Sequence, residues 1–369
     1  MSSWYPTRLD PFSGNFVERF AQLLSGEYNV SVIHTRGDIT CNSIEEVIDE
    51  TEGVRTVRIY HPIRQNRLWH WFTQRKAMNR ALDLVEDVDL VFAHVILPRG
   101  WQFIKAKHFY HCPLIVMEHA SYYRAEIRKT MSRLHRAILK NTSVHINELL
   151  ACSEFLKADM KAVFPTTKTT VLPNFVDTQL FSIADHNLSE GNKFIHVSTL
   201  DESVKDPKLL FEAVDLCVKN GYHQVEMTII SDQPTQKWEK LAEKMGIAAH
   251  FRFVGPSSWE AISEEMRRHD AFVLCSSYET FSIVLVEAWL SGIPTISTPV
   301  GIGKDLDPAL GIQVPVKDPT AIAQAMQQIM DKSIRFDPQV LRKAGMEFSE
   351  DKVTAQLSEI FHRHFEVHE

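Results

Sequence analysis

One stretch constrains the fold more than any other: residues 271–303 have the pattern of a strand, a polar loop, a helix and a second strand. Ala271–Cys275 is a continuous apolar run of strand length, typical of a strand buried on both faces. Ser282 is the expected N-cap of the helix, and Gly292 followed by Pro294 predicts its end. Thr295–Ser297 begins the next strand. The stretch therefore predicts a compact βαβ unit of an α/β protein.

Glu287 is an unusual residue for such a helix. Its neighbours in Ile283–Leu290 are apolar, and Ser291 is the one weakly polar residue on its face. A carboxylate in these surroundings is costly to desolvate unless something hydrogen-bonds it. Glu279 stands in the loop before the helix, where open α/β sheets bind ligands and helix amides hold phosphates. The residues alone leave two interpretations open: a ligand site, or one capping and one solvent-facing glutamate.

The length and composition describe a globular protein with more than one domain. A chain of 369 residues suits two domains, and 44% hydrophobic with 24% charged residues is typical of soluble proteins. No run reaches the roughly 18–20 apolar residues of a membrane helix. The start, MSSWYPTRLD, lacks the basic and apolar regions of a signal peptide. The five cysteines never form a C-x-x-C pair, which favours buried thiols in a reducing cytoplasm.

The charge is distributed unevenly along the chain. The formal net charge is −7, with +4 up to Phe175 and −11 after it, so the front half is the part expected to meet an anionic surface or acceptor. Residues 61–81 interleave arginines with tryptophans. This pattern fits two interpretations, a helix that lies on an anionic membrane and a packed helix with a solvated basic face. The second interpretation is favoured. Tyr122–Lys140 is predicted as another basic helix, on the acceptor side. Nucleic acid is not an expected partner of an acidic chain without a nucleic-acid module.

Several motifs fail on their spacing. Gly301–Lys304 does not form a P-loop, because Thr298 and Asp305 stand where such a loop needs Gly and Ser or Thr. No Cys/His cluster has zinc spacing, and no G-x-S-x-G elbow is present. The two Asp-x-Asp pairs do not follow a predicted strand. The sequence therefore predicts neither a metal nor a cofactor.

The pattern around the two glutamates is more specific. Ser276–Pro294 reads S-x-x-E-T-F-S-x-x-x-x-E-A-x-x-x-G-x-P, with seven residues between the glutamates. It resembles the signature of the retaining glycosyltransferases of family 4. The resemblance implies the GT-B fold, in which two Rossmann-like domains face each other across a cleft. Residues 1–175 would form the acceptor-side domain, completed by a C-terminal helix at about 350–369, and residues 176–349 would bind the nucleotide sugar.

The resemblance also implies roles for individual residues. His119, in the context PLIVMEHASYY, would hold the transferred sugar from the first domain, so that the cleft must close, and Glu279 would bind the sugar hydroxyls. These two are the predicted catalytic residues. Glu287 would bind the ribose. The remaining donor contacts would come from the diphosphate-binding and base-binding positions Gly14, Lys205, Val254, Thr280, Phe281 and Ser282. His94, after a neighbouring strand, is expected to be a structural hydrogen-bonder.

The chain departs from the family pattern at several positions. Nearly all of the first strand is missing before Trp4-Tyr5-Pro6, which puts the completeness of the first sheet in doubt. A usual Gly is replaced by Phe175 at the predicted domain connection. Thr199 stands where an Arg often helps to clamp the diphosphate, and Ser231 and Gln233 replace two loop glycines. One cation fewer would weaken diphosphate binding by about 1–3 kcal/mol.

The expected function is metal-independent transfer of a hexose-type sugar from a UDP- or GDP-sugar to a hydroxyl acceptor, with retention of configuration. The acceptor would be a glycan or lipid-linked molecule in the assembly of bacterial surface polysaccharide or glycoconjugate. The expected location is the cytoplasm, with peripheral contact at the inner face of an anionic membrane as a further option. Two alternatives stay open: a nucleotide-sugar epimerase-like enzyme, and a non-catalytic nucleotide-sugar-binding protein of the same fold.

Overall fold

The computed structural model describes residues 1–11, 13–183 and 191–365. The chain divides into two compact units. The first consists of residues 1–152 and 156–172 together with the C-terminal segment from Thr354, and the second of residues 153–155 and 173–353. The main crossing thus lies at residues 172–173, and the predicted boundary lay at 175–176. Both units contain parallel sheets with helices, so the α/β class is confirmed.

The first unit begins with a helix and a three-stranded sheet and ends with a helix from the far end of the chain. Its elements are α1 (Asn15–Ser25), β1 (Val30–Asp38), β2 (Glu45–Thr51), β3 (Val54–Pro62), α2 (Arg67–Asp83), β4 (Val91–His94), α3 (Gly100–Tyr110), β5 (Leu114–Glu118), α4 (Ala125–Thr130), α5 (Arg133–Ser143), β6 (Glu148–Ala151), α6 (Glu154–Lys161) and β7 (Thr169–Val171). The last helix of the chain, which enters this unit from Thr354 onward, is α13 (Glu350–Phe365).

The strands of the first unit form two separate sheets. One has the order β1-β3-β2, with β1 and β3 parallel, and the other has the order β4-β5-β6-β7 and is parallel throughout. Near the start of the chain, Ser2 makes an isolated parallel bridge to His94 at the end of β4. Helix α1 packs because Val17, Phe20, Ala21 and Leu24 recur at helical spacing and are all buried.

The last helix is tied to the first unit through a buried carboxylate. The side chain of Glu148 is fully buried and accepts hydrogen bonds from Arg363 (2.9 Å), His364 (2.9 Å) and Lys168 (2.8 Å). Burial raises the pKa of Glu148, but the bonds from Lys168, Thr170 and His364 outweigh it and lower that pKa to about 2. The carboxylate is therefore charged, and it holds α13 against β6.

The second unit alternates strands and helices from end to end. Its elements are β8 (Lys193–Val197), α7 (Lys208–Lys219), β9 (Glu226–Ile230), α8 (Gln236–Met245), β10 (Phe251–Val254), α9 (Trp259–Met266), β11 (Ala271–Leu274), α10 (Ile283–Leu290), β12 (Thr295–Ser297), β13 (Gly311–Gln313), α11 (Pro319–Met330) and α12 (Pro338–Gly345).

These six strands form one parallel sheet with the order β10-β9-β8-β11-β12-β13. The order reverses between β8 and β11, and open α/β sheets bind ligands at the carboxyl ends of such a pair. One face of the sheet is packed by stacked aromatic rings, with Phe211 lying 4.5 Å from Phe251 and 5.6 Å from Trp238. Gly292, in the left-handed conformation, follows α10 and allows the chain to turn into β12, as predicted.

The two basic segments differ from the predictions in detail. The single helix predicted over Tyr122–Lys140 is wrong: α4 ends at Thr130, and Ser132 caps a new helix by accepting the amide of His135. Helix α2 packs through its second half, and its first half presents apolar side chains to solvent: Leu68, Trp69, Trp71 and Phe72. Within the described ranges, none of the helices combines the length and apolar character needed to span a membrane.

Candidate active site

An ion pair lies in the second unit at the point where the strand order reverses. The Nζ of Lys205, in the loop after β8, is 2.6 Å from Oε1 of Glu279, in the loop after β11. Ser276 donates to the same carboxylate oxygen at 2.7 Å. Both charged side chains are largely buried, with 22% of Lys205 and 12% of Glu279 exposed. The structure thus brings together two of the predicted site residues, which are 74 positions apart in the chain.

The two loops are fastened to each other by their backbones. The amide of Ser277 donates to the carbonyl of Val204 at 2.7 Å, and the thiol of Cys275 donates to the carbonyl of Lys205 at 3.1 Å. Burial raises the pKa of Cys275, which keeps this thiol protonated and able to donate. The lysine and the glutamate therefore project from a fixed scaffold, as a preorganised site requires.

Helix α10 begins beside this pair in a strained conformation. Ser282, its N-cap residue, has φ 76° and ψ 66°, in the left-handed region that is costly for residues with a Cβ. The predicted capping bond is not made, because in this conformation the side chain of Ser282 accepts from no amide of the helix. Within the described part of the chain, its buried Oγ has no hydrogen-bond partner at all. A polar group that combines strain with burial points to a ligand site.

A second loop closes over the residues before this helix. The amide of Ile302 donates to the carbonyl of Phe281 at 2.9 Å. Gly301 lies so close that a Cβ there would be 2.5 Å from the carbonyl oxygen of Phe281 and 2.9 Å from Oγ of Ser282. Because Gly301 also has φ +57°, only glycine fits this position without strain. The backbone of Phe281 is thus fixed by the loop that contains Gly301 and Ile302.

Glu287 lies within α10 and is almost completely buried, with 1% of the residue exposed. Five neighbours in this helix are also buried: Leu285, Val286, Ala288, Trp289 and Leu290. Ser291, the one polar residue on its face, uses its hydroxyl on the carbonyl of Glu287 (2.8 Å) and not on the carboxylate. The solvent-facing interpretation of Glu287 is therefore wrong.

Two of the positions that depart from the family pattern line one depression. Thr199 and Gln233 are part of it, together with Asp201 and Lys237. Lys237 is a cation that the sequence interpretation missed, and it pairs with Glu202. Ser231 uses its hydroxyl to accept the amide of Gln233 at 3.1 Å, so the serine stabilises the turn that replaces the two glycines.

Val254 lies at the carboxyl end of β10, and its carbonyl accepts the amide of Ser231 at 3.1 Å. This carbonyl is therefore used within the protein. The next residue, Gly255, lies in open space, since a Cβ there would meet no atom within 4 Å. The role of Val254 in holding a base stays a prediction.

The first unit holds His119 at the end of β5. Its Nε2 is 3.2 Å from Nδ1 of His94, the two rings are stacked, and the ring of Phe16 lies 4.4 Å away. Burial lowers the pKa of His94 well below its ordinary value, so His94 is neutral at physiological pH. A neutral His94 orients the ring of His119 without adding a charge.

Glu118, next to His119, organises the same strand end. It accepts hydrogen bonds from the hydroxyl of Tyr123 (2.7 Å), the amide of Ile96 (2.8 Å) and the hydroxyl of Tyr122 (3.0 Å). Complete burial raises the pKa of Glu118 to about 7 in spite of these bonds, which lower it.

Gly14 precedes α1 in the same unit and has φ +73°. A Cβ at this position would lie 2.5 Å from the backbone of Trp4, so the chain itself requires glycine here. Contact between Gly14 and a donor phosphate stays a prediction.

Comparison with known proteins adds the family relationship. Residues 179–346 match the family described as glycosyl transferases group 1, and residues 13–180 match glycosyltransferase family 4. The glycogen synthase of Mycobacterium tuberculosis is 24% identical over 358 residues, which are 90% of this chain and 85% of that protein. The chain belongs to the GT-B glycosyltransferase superfamily.

Solved structures agree with this GT-B assignment. Sucrose-phosphate synthase from Thermosynechococcus elongatus superposes with a TM-score of 0.75 at 19% identity, over 96% of this chain and 93% of that one. Anabaena HepE in complex with UDP superposes with a TM-score of 0.67 at 15% identity, over 84% of this chain and 86% of that one. The GT-B fold with two Rossmann-like domains, predicted from the sequence, is confirmed.

One further residue of this GT-B site was missed by the sequence interpretation. His196 lies inside β8, where its Nδ1 is 2.8 Å from the carbonyl of Val273 and its Nε2 is 2.7 Å from Oγ of Ser198. Burial lowers the pKa of His196 to about 4, so it is neutral and links the ends of β8 and β11. A histidine in the middle of an apolar strand, two residues before Ser198, was the available signal.

Proposed function

We propose that this GT-B protein is a retaining glycosyltransferase that moves a hexose-type sugar from a UDP- or GDP-sugar to a hydroxyl acceptor. The observation that carries the proposal is the Lys205–Glu279 pair at the reversal point between β8 and β11, beside the first residues of α10. A cation and a helix N-terminus side by side are suited to a diphosphate, and a carboxylate beside them is suited to sugar hydroxyls. The complex of Anabaena HepE with UDP supports a nucleotide-linked donor.

In the proposed reaction the bond between the anomeric carbon and the diphosphate oxygen breaks while the acceptor oxygen bonds to the same face of that carbon. Lys205 and the amides at Thr280–Ser282 stabilise the charge that develops on the leaving diphosphate. Glu279 holds the hydroxyls of the sugar, and the leaving phosphate takes the proton of the acceptor. No carboxylate is assigned as a nucleophile.

The buried Glu287 is proposed to bind the ribose hydroxyls of the donor. Glu287 is 1% exposed, and an ionised carboxylate has acceptor sites enough to bind both hydroxyls of a ribose. His119 of the first unit is proposed to contact the transferred sugar. The acceptor is proposed to be a glycan or a lipid-linked molecule in surface polysaccharide or glycoconjugate assembly.

The experiment is NMR of UDP-glucose and GDP-mannose incubated with the protein, with and without candidate acceptors. Transfer with retained anomeric configuration is the expected result, and an inverted product would contradict the retaining mechanism. Product from the donor alone would indicate an epimerase, and donor binding without any product would indicate a binding protein.

Variants connect this reaction to the site. Glu287→Gln should raise KM for the donor about 10- to 100-fold, the loss of a charged hydrogen bond, and His119→Ala should mainly lower kcat. The matched control is Glu226→Gln. Glu226 is exposed and is the first residue of β9, at the amino ends of the strands, whereas the site lies at their carboxyl ends. Wild-type kinetics in both site variants would refute the assignment of these residues.

A further inference from the structure

Two arginines lie together at the carboxyl ends of strands in the first unit. Arg36 is near the end of β1, and Arg99 follows β4 and directly precedes α3. The guanidinium of Arg99 donates a hydrogen bond to the carbonyl of Thr35, so it reaches from the loop after β4 to the residue before Arg36. Both arginines are half-buried. They therefore form a pair of cations at the edge where α/β sheets bind ligands.

Neither arginine has an acidic partner within the described ranges. Arg36 makes no hydrogen bond or ion pair there, and Arg99 bonds only to the carbonyl of Thr35. Asp38, the acidic residue at the end of β1, already accepts a hydrogen bond from Arg8 at 2.7 Å. Because cations that are withdrawn from water are normally paired, two neighbouring arginines without a carboxylate indicate a site for an anion.

The two positive charges act on each other and on the neighbouring histidines. Burial and the charge of Arg36 together lower the pKa of Arg99 to about 10, so Arg99 is still a cation at neutral pH. Burial, with a contribution from the charge of Arg99, also lowers the pKa of His34 and of His61, so both histidines are neutral at that pH. These neighbours therefore do not balance the charge of the two arginines, which repel each other.

The loop that carries Arg99 is strained and firmly held. Val95, its first residue, is buried and has φ 61°, in the left-handed region that is costly for a β-branched side chain. Glu118 accepts the amide of Ile96 at 2.8 Å and so ties this loop to the strand end that holds His119. Backbone strain that the surrounding structure maintains is typical of ligand sites. The loop thus connects Arg99 to the histidine that is proposed to contact the transferred sugar.

A phosphate group suits this pair of cations. A guanidinium has five N–H donors in a planar fork and binds phosphate through two parallel hydrogen bonds. Arg99 uses one of its donors on Thr35, and Arg36 uses none within the described part of the chain. A phosphate monoester carries a charge of about −1.5 to −2 near neutral pH, which two arginines would balance. A neutral glycan would leave their repulsion uncompensated.

We propose that Arg36 and Arg99 bind a phosphate group of the acceptor, so that the acceptor is a phosphorylated molecule and not a neutral glycan. This inference rests on the proposed transferase function and names the chemical class of its acceptor. The site belongs to the first unit, whereas the diphosphate of the donor is assigned to Lys205 in the second. The same phosphate chemistry is found in a soluble sugar phosphate and in the headgroup of an anionic lipid, and the test separates these two sources.

The test is calorimetric titration of the full chain with inorganic phosphate, glucose 6-phosphate and glucose. Excess UDP is present, so that the proposed donor site does not take up the probe. Arg36→Gln and Arg99→Gln should each weaken binding of the phosphate probes about 10- to 100-fold. The matched control is Arg335→Gln, an exposed residue of the second unit, which should change nothing. Glucose should bind more weakly than glucose 6-phosphate to the wild type, and equally to the wild type and the variants.

Vesicles of phosphatidylglycerol and of phosphatidylcholine separate the two sources of phosphate. Sedimentation with phosphatidylglycerol alone, lost in both arginine variants, would support the site and identify a lipid headgroup as the source. Binding of glucose 6-phosphate without sedimentation would support a soluble acceptor. If Arg99→Gln fails to fold, Arg36→Gln still decides, because Arg36 has no bond to lose among the described residues. Arg36→Gln should also raise the Tm in the absence of phosphate, since it removes the repulsion.

Equal affinity of the wild type and Arg36→Gln for every phosphate probe and vesicle would overturn the proposal. Equal kcat/KM for a phosphorylated acceptor and its unphosphorylated counterpart would also overturn it, and would leave the transferase function intact. UDP affinity is measured in the same variants and should be unchanged, since the donor is assigned to the second unit. If the protein transferred no sugar from any donor, the proposed function would fail, and arginine-dependent phosphate binding would still decide whether this anion site exists.

Discussion

The strained serine at the start of α10 gives a prediction in which stability and activity change in opposite directions. Two features of Ser282 destabilise the folded state. Its backbone is in the left-handed conformation, and its buried Oγ has no hydrogen-bond partner among the described residues. Ser282→Gly removes both costs. If the strain serves donor binding, this substitution should stabilise the second unit and weaken its affinity for the donor.

The magnitude follows from three contributions. The left-handed conformation costs a residue with a Cβ about 1–2 kcal/mol, and a buried hydroxyl without a partner costs about 1–3 kcal/mol. The glycine variant loses about 0.5–1 kcal/mol of this gain, because glycine gives the unfolded chain more conformational entropy. The net expectation for Ser282→Gly is an increase of about 1–4.5 kcal/mol in the free energy of unfolding. Ser282→Ala keeps the strained backbone and should gain less than the glycine variant.

The assay combines thermal unfolding without donor and calorimetric titration with UDP. Each kcal/mol corresponds to about 2–4 °C in Tm for a unit of this size. Both variants should bind UDP about 10- to 100-fold more weakly, because a hydroxyl that bonds a phosphate is lost in each. A lower Tm for Ser282→Gly would refute the argument from strain. Wild-type UDP affinity in both variants would show that this hydroxyl does not hold the donor.

Three further predictions concern other parts of the two units. Lys205→Met should lower kcat/KM for the donor about 10- to 100-fold, whereas Lys205→Arg, which keeps the charge, should lower it less. Steady-state kinetics would measure both, and an unchanged kcat/KM in Lys205→Met would exclude the lysine from the site. Gly301→Ala should weaken donor binding and destabilise the second unit, measured as UDP affinity and Tm, while Gly255→Ala, in open space, should change neither. Because the pKa of Glu118 is raised to about 7 in the folded state, its contribution to stability is complete below about pH 4.5 and falls by at most about 3 kcal/mol as the pH rises to 7. Hydrogen exchange of residues 114–118 should show this pH-dependent loss of stability, and Glu118→Gln should abolish the loss. An equal loss in the Glu118→Gln variant would contradict the prediction.

The strands of the second unit could be predicted from the sequence because they are continuous apolar runs. The predictions at Ala271–Cys275 and Thr295–Ser297 agree with the structure to within one residue. Strand β2 was missed because its sequence, EEVIDET, is mostly exposed and has no apolar run to mark it. The basic residues of the Tyr122–Lys140 segment did not reveal the break at Ser132, which depends on a local capping bond.

The candidate site was predicted as a set of residues and not as an arrangement. The apolar neighbours of Glu287 showed that it would be costly to bury, but the residues alone left a solvent-facing glutamate as an open alternative, which its burial excludes. The pairing of Lys205 with Glu279 depends on the order of the strands in the sheet, which no local pattern encodes. The left-handed Ser282 was predicted as an ordinary cap, since serine favours that position and the close approach of Gly301 comes from a distant loop.

The attachment of the last helix to Glu148 affects the order in which the chain can fold during its synthesis. The second unit ends at residue 353, so all of its residues have been made before those of α13 that pack on the first unit. The first unit begins the chain, but the buried carboxylate of its Glu148 gains its partners Arg363 and His364 only after α13 has been made. A chain cut after residue 355 would therefore keep the whole second unit but lack the two residues of α13 that bond Glu148 in the first unit.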